Sequence, residues 1–248
     1  MWLRSVPRIV RSWAVCALLG TLVPAPGPGG TAQQIPDARA LGVPLEGTPG
    51  PHDAITDVGG VEVGHATVIR GEGRLAVGEG PVRTGVTAIL PRGTEAGDSV
   101  FAAWFPLNGN GEMTGTTWVA ESGILESPVV ITNTHSVGVA RDAVIDWMRR
   151  RNPDFHWALP VVAETFDGSL NDINGFHVRS EHVFEALDGA GAGPVEQGSV
   201  GGGTGMICHA FKGGIGSASR VLDEEAGGWT VGVLVQCNQG ARRDLRVA

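Results

Sequence analysis

The chain has 248 residues, enough for one sizeable domain with a hydrophobic core, and its 39 glycines and 15 prolines follow no period that would suit a fibre. A formal charge of −8 without a basic cluster argues against a nucleic-acid partner. The histidines (His52, His65, His135, His156, His177, His182 and His209) show no metal-ligand spacing, and nothing in the sequence brings one of them to the serine singled out below.

From the N-terminus, Arg4, Arg8 and Arg11 form a positive region and residues 14–23 a short apolar core. Residues 24–30 then break it before the small residues Thr31 and Ala32. That order predicts a secretory signal peptide over residues 1–32, too short in its apolar part to span a membrane. It implies a periplasmic or secreted protein, without a membrane span once the signal is removed. Residues 33–55, rich in Pro, Gly and Ala and without pattern, read as a linker. Alternating strands are expected over residues 61–68 and 84–90, and an apolar run over 100–105. The Asn108-Gly109-Asn110-Gly111 turn suits positive φ. It presents Glu112 either as a solvated hairpin carboxylate or as a group at a pocket mouth.

Residues 128–132 read as a buried strand, and a helix over 136–149 places Val137, Ala140, Val144, Trp147 and Met148 on one face. A strand over 159–163 feeds the loop 164–175. The carboxamides and carboxylates of that loop either cap a helix through Asx turns or offer an amide to an oxyanion. A second helix is expected over 180–187, followed by a glycine-rich loop over 188–194.

Next comes Gly198-Ser199-Val200-Gly201-Gly202-Gly203-Thr204-Gly205-Met206. Such runs also make turns and phosphate cradles. A P-loop requires Gly-Lys-Ser/Thr, absent here, and the dinucleotide fingerprint fails because Cys208 stands where its last glycine belongs. A nucleophile elbow fails because Gln197 occupies the position two before the serine. Glycine before serine leaves the Gly198 carbonyl open to attack by the Ser199 hydroxyl, which would expose Ser199 as a new N-terminus. A strand is expected from there to about Phe211, another over 215–221, and an apolar run consistent with a central strand over 229–237. Lys212, the only lysine, is either a surface group or a cation near the Ser199 amine. Cys16 falls in the signal. Cys208 and Cys237 sit in apolar runs and read as two buried thiols, although an oxidising compartment would let them pair.

Five stretches in order resemble the peptidase family of L-aminopeptidase/D-Ala-esterase and the β-aminopeptidases. They are residues 57–65, 107–115, 164–175, 198–206 and 211–220, and the resemblance covers residues 55–247. It implies an α+β fold, a four-layer αββα sandwich, incomplete here at its C-terminus. It implies self-cleavage at Gly198–Ser199 into an α piece (residues 56–198) and a β piece (199–248). Ser199 would then hydrolyse short peptides, amino-acid amides or esters through an acyl-enzyme, its own amine acting as base. By the same resemblance Asn171, with Asn174 as alternate, donates to the oxyanion. Glu112 receives the substrate ammonium, and Trp104 stands at the pocket where some relatives carry a tyrosine. No metal or organic cofactor is implied, and the assembly is a homo-oligomer, a tetramer of processed pairs. The contrasting expectation is a truncated, inactive or binding remnant that does not cut itself.

Overall fold

Period-two alternation along four strands decides how the layers stack. The computed structural model describes residues 38–39, 41–95 and 98–246; the expected signal peptide lies outside the described residues. The main sheet contains β1 (Glu62–Arg70), β2 (Val82–Leu90), β5 (Val129–Asn133) and β6 (Val161–Thr165), in the order β1-β2-β5-β6. The first three are antiparallel neighbours, and β5 and β6 run parallel, joined by helix α2 (Val137–Arg151). A parallel pair needs such a crossover. Two short strands, β3 (Val100–Phe101) and β4 (Ile124–Leu125), pair beside helix α1 (Thr116–Ser122). Helix α1 has no expected counterpart in the sequence: it is a two-turn helix between Gly115 and Gly123, both left-handed, too short to set up a period.

One face of the sheet carries Ala66, Val86, Ala88, Val130 and Val162. They pack on Ala140, Val144 and Trp147 of α2 and on Val183, Ala186 and Leu187 of α3 (Ser180–Asp188). The opposite face carries Val63, Ile89 and Ile131. It meets Leu234 of β10 (Thr230–Gln236), which pairs antiparallel with β9 (Ile215–Val221). The described residues therefore stack helices, a mixed sheet and a second sheet. The far side of β10 presents Val231, Val233 and Val235 to solvent, each about half exposed. That departs from the buried central strand expected there.

Two further expectations are corrected. After Ser199 the chain does not run as a strand: residues Gly201–Gly205 form a buried 3-10 turn. A hairpin of β7 (Ile207–Cys208) and β8 (Phe211–Lys212) follows it. Four glycines in five residues let the backbone coil tightly against β2, where side chains would not fit. Cys208 and Cys237 are bonded to each other, not free, with Cα atoms 5.7 Å apart, inside the range a disulfide requires. The hairpin folds back onto the end of β10 and brings them together, as the Cys237 N–H bond to the Gly214 carbonyl reflects. The segment expected as a linker lies in part along β9: the Val221 N–H donates to the Thr48 carbonyl, and Asp53 accepts from the Ser219 N–H.

Leu187 has no solvent-exposed surface between α3 and the sheet. Leu187→Ala is expected to cost about 2–5 kcal/mol, measured as a lowered urea midpoint with an unchanged slope.

Candidate active site around the Gly198–Ser199 bond

The Gly198–Ser199 bond lies at the edge of the second sheet. Gly198 forms an antiparallel bridge with Ile215, its N–H donating to the Ile215 carbonyl at 2.8 Å. In return the Gly198 carbonyl accepts from the Ile215 N–H at 2.8 Å and also from the Val200 N–H at 3.0 Å. The second bond closes a three-residue turn with Ser199 at its apex, exposed to solvent. Gly198 has φ +88°, a conformation that strains any L side chain. Gly214 is equally constrained, since a Cβ there would overlap the Gly198 carbonyl. The sequence thus builds a carbonyl that carries two backbone donors beside an accessible hydroxyl.

Downstream of the bond, the Gly201 N–H donates to Thr67 Oγ1 (2.8 Å) and the Gly202 N–H to Thr87 Oγ1 (3.1 Å). Thr87 Oγ1 lies 3.0 Å from His65 Nδ1. His65 therefore sits beside the segment that follows the Gly198–Ser199 bond, a proximity that nothing in the sequence signals. Alternation along β1 puts His65 on the inner face with Val63, and a polar side chain in that position was the available signal. Burial, against a smaller opposing effect of the Glu196 backbone, lowers the His65 pKa to about 4. Lys212 Nζ donates to the Gly203 and Gly213 carbonyls, and burial lowers its pKa.

Asn171 is buried under the far end of the 3-10 turn. Its Oδ1 accepts from the Arg83 N–H and its Nδ2 donates to Asp167 Oδ1, both at 3.0 Å. Asp167 is itself buried, and desolvation raises its pKa despite hydrogen bonds from Thr84 and Asn171. Asn174 is exposed on the 3-10 turn Ile173–Gly175. Glu112 is also exposed; its carbonyl accepts from the Glu164 N–H, so its segment runs along β6. The Glu164 carboxylate accepts from the Thr134 hydroxyl and lies against Gly111. Trp104 is partly exposed outside the strands. Gln236, paired with Ile215 across β9 and β10, donates to Thr165 Oγ1 and lies against Gly202. It links the turn after Ser199 to the end of β6. A cavity of about 330 Å³ opens beside Gln197, lined by Arg39, His52, Asp53, Ser217 and Val233 among others. A larger one, about 560 Å³, lies between the end of β2 and α2 and includes none of residues 196–205. Among the described residues no helix is long and apolar enough to cross a membrane.

Helices on a mixed sheet, a second sheet facing it, and a Gly–Ser bond held where the two meet define an N-terminal-nucleophile (Ntn) type of hydrolase fold. A solved L-aminopeptidase D-Ala-esterase/amidase from Ochrobactrum anthropi has this fold. It matches with a TM-score of 0.77 at 50% identity, over 84% of this chain and 59% of that one. A Burkholderia sp. β-aminopeptidase matches with a TM-score of 0.79 at 54% identity, over 84% and 59% of the two chains. The chain belongs to peptidase family S58, whose model matches residues 53–248. The β-peptidyl aminopeptidase BapA of Sphingosinicella microcystinivorans is 57% identical over 220 residues, 89% of this chain and 56% of that protein. The chain thus spans little more than half the length of the curated relatives it matches.

The folded protein keeps His65 neutral to about pH 4, whereas an unfolded chain protonates it near 6.5. The unfolded state therefore binds more protons in between, and stability falls as pH drops from about 6.5 to about 4. Urea midpoints across that range are expected to fall less steeply for His65→Asn.

Proposed function

We propose that this chain is the precursor of a serine aminopeptidase, which cuts itself between Gly198 and Ser199 and then acts through the new N-terminus. The observation that carries the reading is the pair of N–H donors on the Gly198 carbonyl, at 2.8 and 3.0 Å. Ser199 Oγ attacks the Gly198 carbonyl carbon, and the resulting oxyanion meets donors already in place. One such donor is typically worth about 3 kcal/mol. The intermediate collapses as the Ser199 nitrogen takes a proton and the C–N bond breaks, leaving Gly198 esterified to Oγ. Water then hydrolyses the ester, giving a Gly198 carboxylate and a Ser199 with free amine and hydroxyl.

An α-amine titrates at about 7.7–8.0, so near neutral pH an appreciable fraction can take the hydroxyl proton. Ser199 then attacks short peptides, amino-acid amides or esters, forming an acyl-enzyme that water releases. This substrate range draws on the relatives called β-peptidyl aminopeptidase and L-aminopeptidase D-Ala-esterase/amidase. Asn171 is the side-chain donor to the substrate oxyanion, with Asn174 as alternate. In favour of Asn171 is its fixed amide: Oδ1 and one N–H are engaged, leaving the second N–H to give. Glu112, next to Glu164, receives the substrate ammonium, and Trp104 flanks the pocket. The precursor is exported by its signal peptide to the periplasm or beyond and works as a tetramer of processed pairs.

Intact-mass measurement of the mature wild-type protein is expected to give two chains, the second beginning at Ser199. Ser199→Ala is expected to stay whole and inactive. A folded wild type that hydrolyses amino-acid amides as one uncut chain would overturn the proposal.

A further inference from the structure

The segment that follows the Gly198–Ser199 bond is tied to one pair of side chains. His65 on β1 and Thr87 on β2 face each other across the antiparallel ladder, Nδ1 and Oγ1 3.0 Å apart. Downstream of the bond, the Gly202 N–H donates to the same Thr87 oxygen. Upstream, the His65 ring meets the Glu196 backbone, and its Nε2 is buried without completing a hydrogen bond. The intervening chain passes close over the pair. A Cβ on Gly201 would fall 2.5 Å from Thr87 Oγ1 and 2.6 Å from His65 Nδ1. Thr87 Oγ1 thus accepts from the Gly202 N–H and shares a second hydrogen with His65 Nδ1, so one hydroxyl joins β1, β2 and the turn.

We propose that His65 and Thr87 are positioning residues for self-cleavage, fixing Gly201 and Gly202 so that the Ser199 hydroxyl is held within reach of the Gly198 carbonyl carbon. This rests on the self-cleavage reading above. Neither residue exchanges a proton with the reacting atoms. Their part is geometric: a hydroxyl at the apex of an exposed turn samples many positions, and a misplacement of about 1 Å can cost on the order of a hundredfold in rate. The sheet supplies rigid strands, and the imidazole–hydroxyl pair transfers that rigidity to the turn.

The test follows first-order cleavage of the full chain after pulse-labelled synthesis, in wild type, Thr87→Val, Thr87→Ser, His65→Leu and His65→Asn. Thr87→Val and His65→Leu are expected to cut roughly 10- to 100-fold more slowly. Thr87→Ser, which restores the hydroxyl, should come within about threefold of wild type. His65→Asn, which keeps an acceptor near Nδ1, should fall between. Urea midpoints are measured in a Ser199→Ala background, which stays uncut, and a merely structural role would make cleavage track them. A Thr87→Val chain that folds as stably as its parent yet cuts slowly supports the clamp, as does rescue by Thr87→Ser. Hydroxylamine, which opens the ester, should leave the slow variants slow because attack is the impaired step; restored rates would overturn the inference. So would wild-type cleavage rates in Thr87→Val and His65→Leu. If either of these does not fold, Thr87→Ser cutting as slowly as an uncatalysed bond would overturn it equally. A wild type that never cuts defeats the self-cleavage reading itself, a separate result.

Discussion

Two hydrogen bonds converge on one carbonyl oxygen, and much of this molecule is arranged to allow them. For the Ile215 N–H to reach Gly198, β9 must run within backbone distance of the loop after α3, and only a residue without a Cβ at position 214 permits that approach. For the Val200 N–H to reach the same oxygen, the chain must reverse over a single residue, Ser199. A peptide carbonyl that carries two donors is polarised before any reaction begins. The same donors make it a satisfied group in the resting fold, so the arrangement is stable as well as reactive.

The surroundings reinforce that arrangement through polar contacts between the two sheets. Where Val63, Ile89 and Ile131 line the interface it is apolar, as in any stack of sheets. Toward the 3-10 turn the lining changes to Thr67, Thr87, His65, Thr165 and Gln236, each facing or bonding backbone or another of the set. The compact turn Gly201–Gly205 occupies that polar end and exposes peptide groups in place of side chains. Below it, Asp167 holds Asn171 in a single orientation at the cost of burying a carboxyl group.

The sequence was most legible where a period ran undisturbed. Alternation located β1 and β2, and the 3.6-residue stripe of Val137, Ala140, Val144 and Trp147 located α2. It was least legible where glycine removes the pattern: residues 201–205 have no side-chain alternation to read, and their coiling depends on what β2 allows. Local chemistry left the Gly198–Ser199 bond one reading among turns and phosphate cradles, and the resemblance of five stretches in order singled it out. His65 could not be singled out, since its neighbours Glu196 and Gly202 lie more than a hundred residues away and only the fold brings them together. The pairing of Cys208 with Cys237 was hidden likewise, being set by a hairpin that composition does not announce.

That disulfide would have a consequence for a chain cut as proposed. Both cysteines lie on the same side of the Gly198–Ser199 bond, so the crosslink staples one fragment to itself and never fragment to fragment. Were that bond severed, the two polypeptides would be joined by noncovalent contacts, among them the polar floor beneath the glycine turn, the bridge from Gly198 to β9, the ion pair of Asp53 with Arg220, and Leu234 against the main sheet. Their cohesion would then depend on the quality of that buried seam, because the one crosslink among the described residues lies within a single fragment.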